Sequence, residues 1–483
     1  MHLSAIIVTE IRQYKQTRYL VQTVSAGIIK LGLAFKDVAL LFIRHLLPLL
    51  FILSGMSMPV YAAAPPPNIV FFVLDDVGQT DIGAFGNPVI QTPNIDRLAH
   101  EGMRFNNAFL TTSSCTASRA SILTGLYPNE TGAPGLGDIL PAMVESLPRL
   151  LKNAGYYTAA VGKWHLGQPF KSHFNRVVDM REDTGSADWL PEFARRPKDK
   201  PFFFWFASHD AHIPYDWKPP LKTYSPAEVI VQPWQSDTHY ERQLIALYYN
   251  EITRADHSIG ILISSLRNEG LLDNTIVIVL SDNGAMFGDA KARLYDEGLK
   301  TPLVIRFPPR ITADITNTQL VSSIDLVPTL LEAAHIQVPQ VMDGVSLWPT
   351  IMQPEKPVRN FIYAQRNNIE HPAFGRAIRS EHFLFKRNYL GRRLCDPLNG
   401  LLIGERPRYR LYAEFYDLSK DPLAQHNLIH DPEYTSVIFH YRSLMNKLMY
   451  VNNDVAPPLI LEQCKPLPWG QNIRIDWPVT PDT

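Results

Sequence analysis

Asn68-Ile69-Val70-Phe71-Phe72-Val73-Leu74, followed at once by Asp75-Asp76, is the stretch from which a fold can be built. An unbroken apolar run rich in β-branched and aromatic residues, entered from the stiff Pro65-Pro66-Pro67, reads as a strand buried on both faces. Such a strand belongs in the middle of a parallel sheet covered by helices on either side. Functional groups in open α/β sheets gather beyond the carboxyl ends of the strands, where Asp75 and Asp76 fall. Two adjacent acids alone more often mark a solvated strand end. Here a second run, Thr275-Ile276-Val277-Ile278-Val279-Leu280, ends the same way in Ser281-Asp282-Asn283-Gly284. Tyr156 to Val161 and Phe202 to Ala207 add two more buried strands. The predicted fold class is α/β, with a large mixed, mostly parallel sheet sandwiched by helices.

Helices are expected over 91–102, with a capping Thr, an early Pro and a closing Gly, and over 145–154, 239–268 and 325–334. Residues 168–200 read as polar and irregular. From about residue 358 the texture changes to short alternating strands at Phe361–Ala364, Ala377–Phe385 and Phe415–Leu418, with a helix near 433–450. This predicts a smaller C-terminal antiparallel sheet and helix. The expected organisation is a leader over 1–64, a catalytic domain over 65–357 and a smaller subdomain over 358–483. Between Arg376 and Arg410 the chain is basic, with Arg379, Lys386, Arg387, Arg392, Arg393, Arg406 and Arg408, and reads either as a solvated face or as a lip for an anionic glycan.

The chain has 483 residues, 46% hydrophobic and 19% charged, ample for a large core. Lys plus Arg total 46 against 47 Asp plus Glu, so no global charge points to nucleic acid or an anionic membrane, and any anionic ligand must be met locally. Arg44-His45 precede the apolar Leu46 to Leu53, and Val60-Tyr61-Ala62-Ala63-Ala64 follow. This reads as a signal peptide with an overlong n-region, cleaved at or near Ala62, or else kept as an uncleaved anchor. Export to the periplasm or the medium follows. The cysteines are Cys115, Cys395 and Cys464; the last two can form a disulfide or stay as free buried thiols.

Cys115 opens a helix. Ser113 and Ser114 can cap it, Thr116 to Leu123 continue it, and Gly125 with Pro128 suits its end. Unpaired N–H groups at such an end stabilise an anion, lowering a thiol pKa or holding a charged oxygen. Arg119 lies four residues on, on the same face. That pair suits attack on a sulfate or phosphate ester, while a lone Cys near an Arg is as readily an inert buried thiol. Asp75, Asp76, Asp282 and Asn283 brought to one sheet edge call for a hard, oxygen-preferring cation, calcium rather than magnesium. In Gly162-Lys163-Trp164-His165-Leu166-Gly167 an extended chain would project Lys163 and His165 together, with Trp164 opposite.

Cys115-Thr116-Ala117-Ser118-Arg119 resembles the type I sulfatase signature C-x-P/A-S-R, and Gly162 to Gly167 is similar to the family's second signature. Thr92 to Gly102, His212 before x-Pro, Lys300 before x-Pro-hydrophobic, Gly344-Val345-Ser346-Leu347 and Phe415 to Leu428 resemble further family segments, with Gln425 where Glu is usual. The resemblance implies the alkaline-phosphatase-like fold and oxidation of Cys115 to formylglycine by a formylglycine-generating enzyme or anaerobic maturase. Ala117 stands where Pro is commonest, so conversion would depend on the host's maturase. It also implies calcium held by Asp75, Asp76, Asp282, Asn283 and the hydrate at position 115. In the implied mechanism the hydrate attacks sulfur, His212 or Lys300 protonates the leaving alcohol, and His165 then drives loss of sulfate. Arg119 and Lys163 steady the charge, Asp282 is placed to take the nucleophile's proton, and His209, without a family match, is a structural residue or a substrate contact.

The implied substrate is a sulfated carbohydrate, a glycosaminoglycan or algal fragment, chosen by the loops at 84–91, 129–141, 168–200 and 386–412. Two alternatives stand beside it: a phosphonate or phosphodiester hydrolase of the same superfamily, and a catalytically silent glycan-binding protein. No nucleic acid is expected, and no membrane unless the leader is retained.

Overall fold

The structure, a computed structural model, describes residues 65–179, 184, 186–215, 221–288, 290–367, 373–389 and 413–456. The leader 1–64, Cys395, Cys464, Arg392, Arg393, Arg406 and Arg408 lie outside the described residues. From Pro66 onward the chain clusters as one compact unit.

The strands are β1 (Asn68–Leu74), β2 (Met103–Phe105), β3 (Ala108–Phe109), β4 (Tyr157–Gly162), β5 (Arg176–Asp179), β6 (Phe202–Ala207) and β7 (Thr275–Ser281). They continue as β8 (Leu303–Arg306), β9 (Ile315–Asn317), β10 (Val321–Ser322), β11 (Phe361–Arg366), β12 (Gly375–Ser380), β13 (Phe383–Asn388) and β14 (Ala413–Asp417). The large sheet runs β5-β4-β6-β1-β7-β8-β2-β9. Its pairs are parallel except where β8 meets β7 and β2. β1 is central, with Ile69 opposite both Phe203 and Ile276 and Leu74 opposite Ser281.

Side chains of β1 go alternately into two cores. Ile69, Phe71 and Val73 join Ala120, Ile122 and Leu123 of the helix Cys115–Thr124 on one face. Val70, Phe72 and Leu74 join Ile252, Ala255 and Ile259 of the long helix His239–Asn268 on the other. Both faces are needed to bury such a strand, and each fully buried Phe adds about 1.5–3 kcal/mol relative to exposure. Phe71 stacks towards Trp205 and Phe72 towards Trp189, at centroid distances of 5.5 and 5.7 Å. Trp189 belongs to a short helix, Trp189–Ala194, and β5 is an edge strand. The described parts of 168–200 thus hold more regular structure than their polar composition indicates, because β5 and this helix close one side of the sheet.

The four-stranded antiparallel sheet runs β11-β12-β13-β14. The stretch 377–385, expected as one strand, is a hairpin broken at Glu381-His382, with Ile378 opposite Phe385. One face carries Ile362, Ala377, Leu384 and Tyr416 against Phe109 and Leu299 of the large domain. The other carries Tyr363, Ile378 and Phe415 against Tyr441 and Met445 of the helix Thr435–Val451. Three members of the basic run lie inside this packing, neither a solvated face nor a lip. Arg376 reaches Asp454 (Nη2 to Oδ1 2.6 Å), Arg379 reaches Asp296 (2.9 Å) and Lys386 reaches Glu414 (3.0 Å). Their exposures of 0%, 7% and 5% leave no charge to offer a glycan. No helix among the described residues is long and apolar enough to cross a membrane.

Candidate active site

β1 and β7 run side by side and end level, so the acids that follow them meet. Asp75, Asp76, Asp282 and Asn283 are all fully buried. One ligand atom from each of Asp75, Asp76, Asp282 and Cys115 lies within 4.8 Å of the others. Asp76 adopts φ 60°, a left-handed conformation that turns the chain sharply at the strand end. The backbone N–H of Asp76 donates to Asp282 Oδ1 (3.3 Å), and the amide of Asn283 donates to Asp76 Oδ1 (2.5 Å).

The helix Cys115–Thr124 points its first residue at this cluster. Cys115 Sγ lies 3.3 Å from Asn283 Oδ1 and 3.9 Å from both Asp75 Oδ1 and Asp76 Oδ1. The serines do not cap it through their side chains. Ser114 occupies the N-cap position without a side-chain bond into the helix, and Ser113 instead accepts the N–H of Ala292 on Oγ (3.0 Å) and on its carbonyl (3.0 Å). The expected lowering of the thiol pKa is reversed. Burial, then the carboxylates of Asp282, Asp76 and Asp75, push Cys115 well above its usual range. Cys115 is therefore a thiol and a poor nucleophile.

Three cations face three carboxylates. Arg119 Nε donates to Asp282 Oδ2 (2.8 Å) and its Nη1 to the carbonyl of Lys163 (3.0 Å). Lys163 donates to Asp75. Lys291 Nζ lies 2.6 Å from Asp76 Oδ2. Burial alone would raise Asp75, but Lys163 and Arg119 hold its carboxyl well below the usual range. For Asp282 burial wins, with Asp75 adding to it, and its carboxyl is raised despite Arg119.

Lys163 and His165 do come to one side, though not by strand alternation. β4 stops at Gly162, and positive φ at Gly162 (107°) and His165 (55°) turns the chain into the site while Trp164 packs in the core beside Phe170. The His165 ring reaches solvent, yet the protein crowded behind it, and then Arg119 and Lys163, push its pKa down to about 4. His212 Nε2 stands 3.8 Å from Asp76 Oδ2, and its Nδ1 bonds the carbonyl of Ile213 (2.7 Å). His209 lies beside it, ring centroids 5.0 Å apart, and burial lowers its pKa to about 4.

Lys300 is not brought to this cluster. It follows the short helix Asp296–Leu299, bridges Phe109 through its backbone, and sets its ammonium group 3.5 Å from Asp296. Its i,i+4 geometry directs it back along its own helix. Lys291 stands at the cluster instead, and nothing local in Ala290-Lys291-Ala292 distinguishes it from a surface lysine.

The donors fit a hard divalent cation. Carboxylate and amide oxygens suit calcium or magnesium, and the soft Sγ of Cys115 is the one mismatched atom, which an oxygen at the same position would mend.

Residues 67–336 match the Sulfatase family, and residues 286–387 match the model described as N-sulphoglucosamine sulphohydrolase, C-terminal. Human N-sulphoglucosamine sulphohydrolase is 29% identical, the match covering 84% of this chain and 95% of that protein. An ulvan-active sulfatase of Formosa agariphila is 26% identical, covering 86% and 80%. The solved structure of BT4656 in complex with its substrate D-glucosamine-2-N,6-O-disulfate aligns with TM-score 0.66 at 22% identity, covering 81% of this chain and 99% of that one. Phosphonate monoester hydrolase of Agrobacterium radiobacter aligns with TM-score 0.65 at 18% identity, covering 80% and 96%, so both structures speak for the fold alone. The family match spans more than half of the chain and takes in both acidic strand ends, the Cys115 helix and all three lysines discussed above. The chain belongs to the sulfatase family and is a sulfuric ester hydrolase on the alkaline-phosphatase-like fold.

Proposed function

We propose that this protein removes sulfate from a sulfated carbohydrate, using formylglycine made from Cys115 and a calcium ion held by Asp75, Asp76, Asp282 and Asn283. The observation that carries this reading is the placement of Cys115 Sγ, 3.3 Å from Asn283 Oδ1, at the head of a buried helix within a ring of three carboxylates and three cations. When present, the formylglycine hydrate supplies an oxygen nucleophile for sulfur, and calcium supplies a positive centre for that hydroxyl and for a sulfate oxygen.

The chain's own residues supply the rest. Arg119 fixes Asp282, and Lys163 and Lys291 flank Asp75 and Asp76, so three cations are aimed in advance at the region where sulfate charge must sit. His212 keeps a proton on Nδ1 for the carbonyl of Ile213. Its Nε2 faces Asp76 Oδ2 at 3.8 Å, which turns that nitrogen towards the cluster as the ring atom placed to pass a proton to a leaving oxygen. His165, whose pKa is pushed down to about 4, is neutral at ordinary pH and able to accept a proton when sulfate departs. Lys291 takes the role that the family resemblance gave to Lys300.

Relatives named as an N-sulphoglucosamine sulphohydrolase and an ulvan-active sulfatase support a carbohydrate sulfate. The match of residues 286–387 makes N-sulfoglucosamine the first substrate to test. Residues 65–357 form the catalytic domain in this reading and 358–483 the smaller subdomain. The apolar segment ahead of Ala62 makes this an exported protein, periplasmic or secreted, that meets its maturase before use.

The first experiment is the mass of the tryptic peptide ending at Arg119, from protein made with a formylglycine-generating enzyme. An aldehyde in place of the thiol, together with sulfate release from N-sulfoglucosamine or another sulfated sugar, is the expected result. Activity from protein in which Cys115 remains a thiol would refute the nucleophile, and faster turnover of a phosphodiester than of any sulfate would refute the reaction class.

A further inference from the structure

Three buried carboxylates at the ends of two neighbouring strands are balanced by Arg119, Lys163 and Lys291, and the spacing of the two turns that carry them is also set by hydrogen bonds between the turns. One of these runs through a single hydroxyl. Ser281 is the last residue of β7, fully buried, opposite Leu74 in register. Its Oγ accepts the backbone N–H of Val77 (2.9 Å) and donates to the carbonyl of Asn283 (2.8 Å). Val77 is the residue after Asp76, and Asn283 the residue after Asp282, so a single side chain spans both acidic turns. A serine hydroxyl has one proton to give, and its shorter donor contact is Asn283, the carbonyl of Leu74 being 3.4 Å away. Ser281 is itself held. Its N–H donates to Thr301 Oγ1 (2.8 Å), and that hydroxyl donates to the Ser281 carbonyl (2.9 Å), with Thr301 1% exposed.

We propose that Ser281 is a positioning residue for the cation site of Asp75, Asp76, Asp282 and Asn283, setting the distance between the two acidic turns without touching the ion. The proposal rests on the reading of that cluster as a calcium site. Without the hydroxyl, the Val77 N–H loses its acceptor in a buried place, and the carboxylate turns keep only the Asp76 N–H to Asp282 and Asn283 to Asp76 bonds between them.

The test is calorimetric titration of calcium into chelator-stripped protein, with thermal unfolding of the stripped protein measured alongside, for the wild type, Ser281→Ala and Thr301→Val. Supporting residues around a metal typically account for 10- to 100-fold in affinity, so Ser281→Ala should weaken calcium binding by about 10- to 100-fold, with Thr301→Val shifting it the same way by less. A Kd for Ser281→Ala within about threefold of the wild type, whatever its stability, would reduce Ser281 to a structural serine and overturn the proposal. If Ser281→Ala does not fold, the near-isosteric Thr301→Val decides by the same criterion. Wild-type protein that binds no calcium would instead overturn the cation-site reading, a failure visible before any variant is compared.

Discussion

Replacing Lys291 and Lys300 by Met, one at a time, separates the structural assignment from the one that motif matching makes. Lys291 Nζ is 2.6 Å from the buried Asp76, with its side chain 14% exposed. Asp76 and its neighbours push the Lys291 pKa up against burial, so it is charged at any working pH. Removing one preorganised charge from a site of this kind costs about 10²–10³ in kcat, or about 2.7–4 kcal/mol. Lys300 is 27% exposed and pairs at 3.5 Å with Asp296, which Arg379 also holds at 2.9 Å. A partly exposed i,i+4 pair contributes about 0.3–0.5 kcal/mol to stability and nothing to turnover. The assay is kcat and KM on an aryl sulfate, normalised to the formylglycine content of each preparation, with Tm measured in parallel. Lys291→Met should lose two to three decades in kcat while Lys300→Met stays within about threefold. Equal losses, or a larger one for Lys300→Met, would refute the placement of Lys291 at the sulfate.

Cys115→Ala should abolish turnover yet unfold within a few degrees of the parent, because the side chain packs in a buried helix and makes no hydrogen bond shorter than 3.3 Å. Arg119→Met breaks a fully buried pair with Asp282 and should cost about 3–5 kcal/mol in urea unfolding, since the carboxylate loses its nearest cation. Asp81 has its carboxyl pushed up to about 7 by burial, offset in part by the Tyr248 hydroxyl. A carboxyl whose folded pKa is raised above 3.8 binds a proton more tightly folded than unfolded, so it withdraws stability as pH rises from about 4 to about 7. Asp81→Asn should flatten the fall in Tm over that window; an unchanged slope would count against the buried carboxyl as its source. Chelation should lower Tm and stop turnover, with calcium restoring both, and stabilisation of about 2.7 kcal/mol is expected at a hundredfold excess over Kd.

Much of the site was legible because it sits where strands end. Asn68–Leu74 and Thr275–Leu280 are buried on both faces, so composition alone identifies them, and the acids must follow directly. Cys115 and Arg119 are one helical turn apart, and Lys163 and His165 follow a buried strand within three residues. These are short-range relations, set by steric preference and by burial, which a linear chain displays.

What stayed hidden depends on partners far away in sequence. Lys291 reaches Asp76 across 215 residues because Ser113 holds the Ala292 N–H, with Ala292 at φ 67°, and no local pattern encodes that loop path. Arg376, Arg379 and Lys386 look like a solvated basic face until Asp454, Asp296 and Glu414 come to meet them inside the small sheet. The thiol of Cys115 is raised because burial and three carboxylates outweigh the helix end, a balance that exists only once two strands and a helix converge. The sequence by itself determined which segments are buried and which chemical groups terminate them, since hydrophobic burial and backbone sterics act over a few residues. Only the tertiary structure decided which charges meet, because the Coulomb energy of a pair depends on its distance and on the water excluded around it, and neither is written along the chain.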